Sequence, residues 1–307
     1  MCTNKFTIHN CPLCNGIHLE HFIDCMDYYA TREKFAIYKC SDCGFCFTQN
    51  APIESEIGPY YESPDYISHT DTHKGCMNRI YHRVRKYMLS KKANLVCRVS
   101  GLESGHLLDY GAGTGYFAQT MRNKGWNVKA IEKSAMARDF ALDHFNLVME
   151  SDIALDFFGK QIFQVVTLWH VMEHVEKLDY LWKRIFDILV DGGILIVAVP
   201  NCESFDAHFY KDKWAAYDVP RHLWHFEPNS MKKMGERNGF SLVEELPMPF
   251  DAFYVSMLSE KYKSSSSYFI KGMWNGFRAW LASRNNKENS SSLIYVFKKK
   301  KEDEKEI

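Results

Sequence analysis

Three groups of residues in this sequence stand at spacings that chemistry needs: paired cysteines, glycines at alternate positions, and histidines close to carboxylates. Cys11 and Cys14, then Cys40 and Cys43, form two C-x2-C pairs separated by 25 residues. Four thiolates so arranged can close a tetrahedron around zinc, and a small module with little core of its own gains its folding energy from that metal. Gly44 follows the last of them, where a tight turn lets backbone N–H groups face sulfur. Cys25 and Cys46 are spare, and either can stand in for a named ligand. Cys2, Cys76, Cys97 and Cys202 are isolated and read as small packing residues. His9, His18 and His21 have no required role beside an all-thiolate set.

The glycines follow an apolar pair. In "LLDYGAGTGYFA" (107–118) the chain runs through Asp109 to Gly111, Gly113 and Gly115, and a helix begins. Small residues after a buried parallel strand let the backbone turn sharply and let a ligand lie against bare main chain. A nicotinamide or flavin fingerprint asks for G-x-G-x-x-G/A. Here Tyr116 takes the third small position, which disfavours a pyrophosphate on the helix start and suits a cofactor that carries an amino-acid moiety. Asp109 is placed to hold that moiety's ammonium group. Glu132, ending "VKAIE", can accept from both ribose hydroxyls, and Asp152, in "MESDI", from an adenine amine.

These groups need elements to position them. Short apolar runs ("HLLDY", "NVKAIEK", "FNLVMES", "FQVVTLWH", "GGILIVAVP") alternate with helical stretches from residue 106, which predicts βαβ units and a parallel sheet covered on both faces. "EPNSMKKMGERNG" (227–239) reads as a helix, "FSLVEELPMP" as a strand and "SSLIYVFKKK" (291–300) as a late strand. The expected organisation is a metal-binding module at 1–50 and a connector plus helix at 51–100. A catalytic domain follows at 101–300 with an insertion near 250–290, then a charged tail at 301–307. Within the second segment, 76–92 is helical with Ile80, Val84, Tyr87 and Met88 on one face, and Tyr60, Tyr61 and Tyr66 form either a lid or an anchor. In the insertion, Phe269, Met273, Trp274, Phe277 and Trp280 form an apolar stripe. Core packing is its first reading and a homodimer contact its second. A membrane surface, with Lys271, Arg278 and Arg284 on the polar side, is also open.

At this point the chain from about 106 to 248 resembles the class I S-adenosylmethionine-dependent methyltransferases. "LLDYGAGTGYFA", Glu132, "SDI", "VVTLWHVMEHV" and "LVDGGILIVAVPN" carry the resemblance. It implies an α/β, Rossmann-like sheet of seven strands with the last antiparallel. It also implies cofactor contacts from Asp109, Gly111, Gly113, Glu132, Asp152, Ile153, Leu168 and His170, with Gly115 completing the turn. "EHV" and "DVPRHLWHF" are similar to a bacterial branch related to the ubiquinone-biosynthesis O-methyltransferases. The Cys-rich module is similar to that of sugar C-methyltransferases, which carry a further large C-terminal domain.

The resemblance implies an activated methyl group, so the protein must align a nucleophile and exclude water. A base helps if that nucleophile is a hydroxyl, and His170, His222 and His225 are the candidates. Trp214, Tyr217, Trp224 and Phe226 are expected to wall the methyl end. His170, Glu173 and His174 stand at i, i+3 and i+4, a spacing open to a divalent cation, although Glu173 orienting His174 is the preferred reading. The expected reaction is O-methylation of a small metabolite or sugar-containing compound. The other readings are a macromolecule docked by the zinc module, sugar C-methylation, and a non-catalytic cofactor-fold protein. Lysines and arginines balance aspartates and glutamates at 38 each, and residues 1–50 are not basic, so nucleic acid is not an expected partner. The longest strongly apolar run, "ILIVAV" (194–199), falls well short of the ~20 residues a transmembrane helix needs. The N-terminus lacks a charged-then-apolar leader, so a cytoplasmic protein is expected and disulfides are the weaker reading of the cysteines.

Overall fold

The computed structural model describes residues 4–61 and 76–301, with side chains from residue 82 in the second span. Tyr66, Cys2, the side chains of Cys76 and Ile80, and the end of the charged tail lie outside the described residues. The N-terminal module holds β1 (Lys5–Phe6), β2 (Leu19–Met26), β3 (Lys34–Cys40), β4 (Cys46–Gln49) and β5 (Ala51–Pro52). Helix α1 (Cys76–Ser100) leads into the catalytic domain and runs eight residues past the expected end at 92. Ala93, Leu95 and Val96 explain the extension, since all three are buried.

The catalytic sheet is built from β6 (His106–Tyr110), β7 (Asn127–Ile131), β8 (Phe163–Trp169), β9 (Leu189–Pro200), β11 (Phe240–Pro247) and β12 (Ser292–Lys299). Its order is β11-β12-β9-β8-β6-β7. Strands β6 to β9 are parallel to one another, and β12 runs antiparallel to both β9 and β11. Leu107, Leu108, Val165, Val166, Leu195 and Val197 are fully buried, as a parallel sheet covered on both faces requires. Its helices are α2 (Tyr116–Asn123), α3 (Ala135–Phe145), α4 (Leu178–Ile188), α5 (Phe205–Tyr210) and α6 (Pro228–Arg237). Trp182 of α4 packs edge-on to Phe297 of β12, ring centroids 5.8 Å apart. Pro228 stands in the first turn of α6, and Ser230 Oγ accepts the Glu227 N–H at 3.0 Å.

Two expectations need correction. The sheet has six strands among the described residues, not seven: "FNLVMES" contributes a single parallel bridge, Ile131 with Glu150. Asn146 turns the chain in a left-handed conformation (φ 49°) and Ser151 leads directly into a short helical turn at Asp152–Phe157, which leaves length for one bridge only. The insertion forms two helices, α7 (Asp251–Tyr262) and α8 (Tyr268–Asn285), and its apolar stripe is not in the core. Phe269, Met273, Trp274 and Phe277 are exposed and Trp280 is half-buried, while α8 buries Gly272, Asn275, Gly276, Ala279 and Ser283. A Cβ on Gly272 would lie 2.5 Å from Met257 Cα, and one on Gly276 2.7 Å from Phe253 Cα. The helix backbones approach too closely for side chains between them, so the aromatic side faces out.

The two modules share a sheet. β10 (Trp224–His225), from the catalytic domain, pairs antiparallel with β4 and completes the order β10-β4-β3-β2. Thr48 reinforces the seam: its N–H donates to Leu223 O at 2.9 Å and its hydroxyl to His222 O at 2.7 Å. Beside this strand, Arg221 is buried and forks to Asp27 of the N-terminal module (3.0 Å) and to Asp218 (2.6 Å), with a third bond to Tyr60 O at 2.6 Å. Arg221→Ala would remove the guanidinium from the buried Asp27, leaving it only the hydrogen bonds from Tyr29, Ala30 and Thr31 in its own turn, a loss of about 1.5–3 kcal/mol. The expected result is an unfolding free energy lowered by that amount, with a lower urea midpoint and a single transition for the whole chain, read by circular dichroism.

Candidate active site

The site forms where the C-terminal ends of the parallel strands meet the loops after β6, β8 and β9, the usual ligand position in open α/β sheets. Asp109 ends β6 and is 1% exposed. Its Oδ1 accepts from Thr167 Oγ1 at 2.8 Å, while Oδ2 has no hydrogen-bond partner. Burial drives its pKa up to about 7 against the opposing effects of Thr167 and the Lys92 ammonium. A buried carboxylate oxygen left unpaired is unusual and marks a place for a donor. The glycine turn has two functions. Gly111 must lack a side chain because a Cβ would meet Val171 at 2.3 Å, and Gly115 (φ 80°) packs against Ala141 and Leu147. Gly113 has open space where a Cβ would stand, so this is the bare main chain a ligand can approach. Glu132 accepts the Gly113 N–H at 2.7 Å and the Ser134 N–H at 2.8 Å, which fixes its carboxylate beside the turn. Asp152 is half-buried at the start of the helical turn that follows the bridge, and Ile153 is 64% exposed beside it. Leu168 is fully buried in the core, so only its backbone is available to a ligand. The unpaired Asp109 oxygen, the clear space at Gly113 and the acidic Glu132 fit an adenosyl cofactor with an ammonium group.

The histidines separate by environment. His170, at the end of β8 in a left-handed conformation (φ 58°), lies 3.4 Å from Glu173 Oε1 through Nδ1 and 3.1 Å from Asp251 Oδ2 through Nε2. Burial opposes its charge, but the two carboxylates prevail and raise its pKa to about 9. It is held as a cation. His225 is buried in the shared strand, and burial lowers its pKa to about 3. Its Nε2 lies 2.9 Å from Thr48 Oγ1, whose own proton goes to His222 O, so His225 donates there. His222 donates from Nδ1 to Ala216 O at 2.8 Å, which leaves Nε2 as the free lone pair. His174 is its neighbour, ring centroids 4.5 Å apart, with Nδ1 bonded to Arg221 O at 3.0 Å; burial and His222 lower its pKa to about 4.

Two clusters have the composition of metal sites. The sulfurs of Cys11, Cys14, Cys40 and Cys43 lie within 4.8 Å of one another, with 3.5 Å from Cys11 to Cys43 and 3.6 Å from Cys14 to Cys40. A tetrahedron of Zn–S bonds near 2.3 Å has edges of about 3.8 Å, so the spacing fits that ion. Cys25 and Cys46 are buried elsewhere, Cys46 bonded to Gly44 O. The second cluster is Glu173, His174 and His222, whose ligand atoms also lie within 4.8 Å of one another. Glu173 is buried and neither of its oxygens makes a hydrogen bond. The sequence spacing proposed His170 in that set. The fold turns His170 towards Asp251 and supplies His222 from a loop about 50 residues away.

Trp214, Tyr217, Trp224 and Phe226 do not line the cleft: each is at most 4% exposed and packs between the modules. Tyr60 is likewise buried, its hydroxyl bonded to Glu33, whereas Tyr61 is exposed and reaches His174 at 3.3 Å. Sequence reading missed three site residues. Asp251 holds His170 from the insertion, Lys92 of α1 lies over the Trp169 ring at 4.2 Å near Asp109, and Arg221 anchors the histidine loop. Asp251 and Lys92 have no local signal, because each acts on a partner distant in sequence; Arg221 has only its i,i+3 spacing from Asp218, which does not disclose Asp27.

His170 carries a pH signature. Well below pH 6.5 the imidazole is protonated whether or not the chain is folded, so its ion pairs contribute in full. As pH rises through about 9 the folded state must give up that proton, and the contribution is lost. The stability difference between the wild type and His170→Gln, measured by urea unfolding, should therefore be largest below about pH 6, fall between pH 6.5 and 9, and vanish above that.

Comparison with known proteins agrees with this geometry. A family model described as a methyltransferase domain matches residues 81–245, more than half of the chain. No curated protein matches the sequence. Among solved structures, the geranyl diphosphate C-methyltransferase of Streptomyces coelicolor A3(2), determined with Mg2+, geranyl diphosphate and S-adenosyl-L-homocysteine, is 15% identical with a TM-score of 0.50, covering 75% of this chain and 86% of that one. Phosphoethanolamine N-methyltransferase 2 of Haemonchus contortus, in complex with S-adenosyl-L-methionine, is 16% identical with a TM-score of 0.48 over 69% of this chain, which spans 53% of that enzyme. A SAM-dependent methyltransferase from Archaeoglobus fulgidus is 16% identical with a TM-score of 0.47, covering 70% and 94%. At these identities the likeness is one of fold. With the matched domain and the site at its strand ends, the chain belongs to the methyltransferase-domain family and is an S-adenosylmethionine-dependent methyltransferase.

Proposed function

We propose that this enzyme methylates a hydroxyl oxygen of a small metabolite or sugar-containing compound, and that His222 takes the acceptor's proton. The observation that carries this reading is the tautomer of His222: Nδ1–H is tied to Ala216 O, so the Nε2 lone pair remains for an incoming hydroxyl. His170 is already protonated between two carboxylates, and His225 is buried in the shared strand, where burial holds its basicity down to a pKa of about 3, so neither suits the role. Asp218 Oδ2, 3.9 Å from His222 Nε2, is near enough to favour the imidazolium once formed.

The cofactor supplies an activated methyl group when bound. Asp109 would hold its ammonium group, Glu132 its ribose hydroxyls and Asp152 its adenine amine, with Gly111, Gly113, Gly115 and the backbone at Ile153 and Leu168 shaping the pocket. His170 holds Asp251 and therefore α7 against the end of β8, and Lys92 over Trp169 closes the side towards α1. These contacts exclude water from the transfer and align the acceptor. The four-cysteine cluster would hold a structural zinc ion that stabilises the module.

A second reading has one specific observation in its favour. The buried Glu173 carboxylate, ion-paired to His170 through Oε1 but without a hydrogen bond at Oε2, stands beside His174 and His222, and the three offer one oxygen and two nitrogens to a divalent cation. Both imidazoles have Nδ1 tied to backbone carbonyls, the support that metal-bound histidines usually have. Metal content separates the readings: one ion per purified chain supports the base, and two, falling to one in Glu173→Gln, supports the cation.

The test of the main reading uses calorimetry and a panel of hydroxylated acceptors scored by release of S-adenosylhomocysteine. His222→Gln should bind S-adenosylmethionine like the wild type yet lower transfer by about 100-fold or more. Asp109→Asn should lose cofactor binding instead. Unchanged transfer in His222→Gln refutes the base, and a wild-type chain that ignores S-adenosylmethionine but takes up a nicotinamide nucleotide refutes the cofactor reading.

A further inference from the structure

Helix α8 is turned inside out relative to an ordinary surface helix. Its buried face is glycine, alanine, serine and asparagine, set tightly on α7. Its outward face carries Ile270 (72% exposed), Trp274 (63%), Leu281 (43%), Met273 (40%) and Phe277 (39%), with Phe269 beside them. On a helix of 3.6 residues per turn these side chains form one continuous arc. Trp274, Phe277 and Trp280 lie ring against ring, centroids 6.1 and 5.7 Å apart, so the arc is a cohesive apolar surface. A patch of this kind on a soluble domain marks a binding face.

Charge identifies what binds. The chain as a whole is neutral, yet between Glu260 and Glu288 there are six lysines and arginines and no acidic residue. Lys263 pairs with Glu260 and Lys287 with Glu245, so those cations are already matched. Lys271, Arg278 and Arg284 have no carboxylate partner among the described residues: Arg278 contacts the Asn275 amide oxygen and the rings of Phe205 and Phe209, and Arg284 lies over Trp280. Lys271 and Arg278 flank the aromatic arc and Arg284 sits within its C-terminal end. Tryptophan, phenylalanine and long aliphatics bordered by cations suit the headgroup boundary of an anionic bilayer. A second copy of this chain is disfavoured, because a two-fold contact through this face sets the same cations against themselves. No helix among the described residues is long and apolar enough to cross a membrane, so contact would be flat on the surface. At 1.5 Å per residue α8 would lie along about 27 Å of it.

We propose that the outward face of α8 is a docking surface for an anionic membrane, seating Ile270, Trp274, Phe277 and Leu281 at the headgroup boundary with Lys271, Arg278 and Arg284 on lipid phosphates. The contact is independent of the methyl acceptor. It brings the layer that closes the site to the lipid surface, because α7, the packing partner of α8, is held to the end of β8 by the Asp251–His170 pair.

The experiment is vesicle flotation of the full chain. Binding is expected to phosphatidylcholine–phosphatidylglycerol vesicles, to be absent with phosphatidylcholine alone, and to weaken as salt is added. Lys271→Gln and Arg284→Gln should each lower the partition coefficient about fivefold. Trp274→Ser combined with Ile270→Ser should abolish partition while S-adenosylmethionine binding, read by calorimetry, stays at the wild-type value; these side chains are exposed, so the fold is not at risk. Failure to float with anionic vesicles overturns the proposal, as does flotation that the substitutions leave unchanged. So does a concentration-dependent dimer in sedimentation velocity that Trp274→Ser dissolves, since a second copy would then occupy the face.

Discussion

Arg221 joins this molecule. Its guanidinium reaches Asp27 in the N-terminal module and Asp218 in the catalytic domain, and it is nearly removed from water while doing so. Burial alone would raise the Asp218 pKa, but the guanidinium offsets that and holds the carboxylate below its ordinary range. The same loop continues into His222, then into the strand that completes the module's sheet. The N-terminal module is therefore part of the scaffold that positions the His222 loop, and the four-cysteine cluster lies in that same module. A zinc ion there would act on the site through Asp27, Thr48 and the shared strand.

Around the cleft, one principle assigns each titratable group. Where opposite charges outweigh burial, as the two carboxylates do at His170, ionisation is kept; where they do not, as at Asp109 despite Lys92 and at His225, burial favours the neutral form. His170 and His225, two histidines the sequence offers for the same role, thus differ in protonation. Only their neighbours distinguish them.

What the sequence discloses follows from how local each feature is. The strands β6 to β9 and the glycine turn are legible because buried apolar runs and positive φ at Gly111, Gly113 and Gly115 depend on adjacent residues. The expected third strand has an apolar composition too, but Val148 is 74% exposed and only Glu150 pairs, since chain direction at Asn146 and Ser151 overrides propensity. In α8 the aromatics drew the inward reading, whereas Gly272 and Gly276, which appear unremarkable in sequence, decide the packing by allowing the backbones to touch. The second acidic partner of His170, Asp251, lies in the insertion, and the strand partner of β4 lies far along the chain; neither contact has a local signature.

That last pairing has a consequence for biosynthesis. Thr48 and His225, bonded to each other, are separated by 177 positions. A ribosome that has released the cysteine-rich segment has not yet made the strand that covers its edge, and a nascent chain must hold Phe45, Phe47 and Cys46 unsheltered until most of the catalytic domain has emerged. An early-bound metal ion would keep that segment compact through the interval, and truncation before residue 225 would leave an open β edge exposed to other chains.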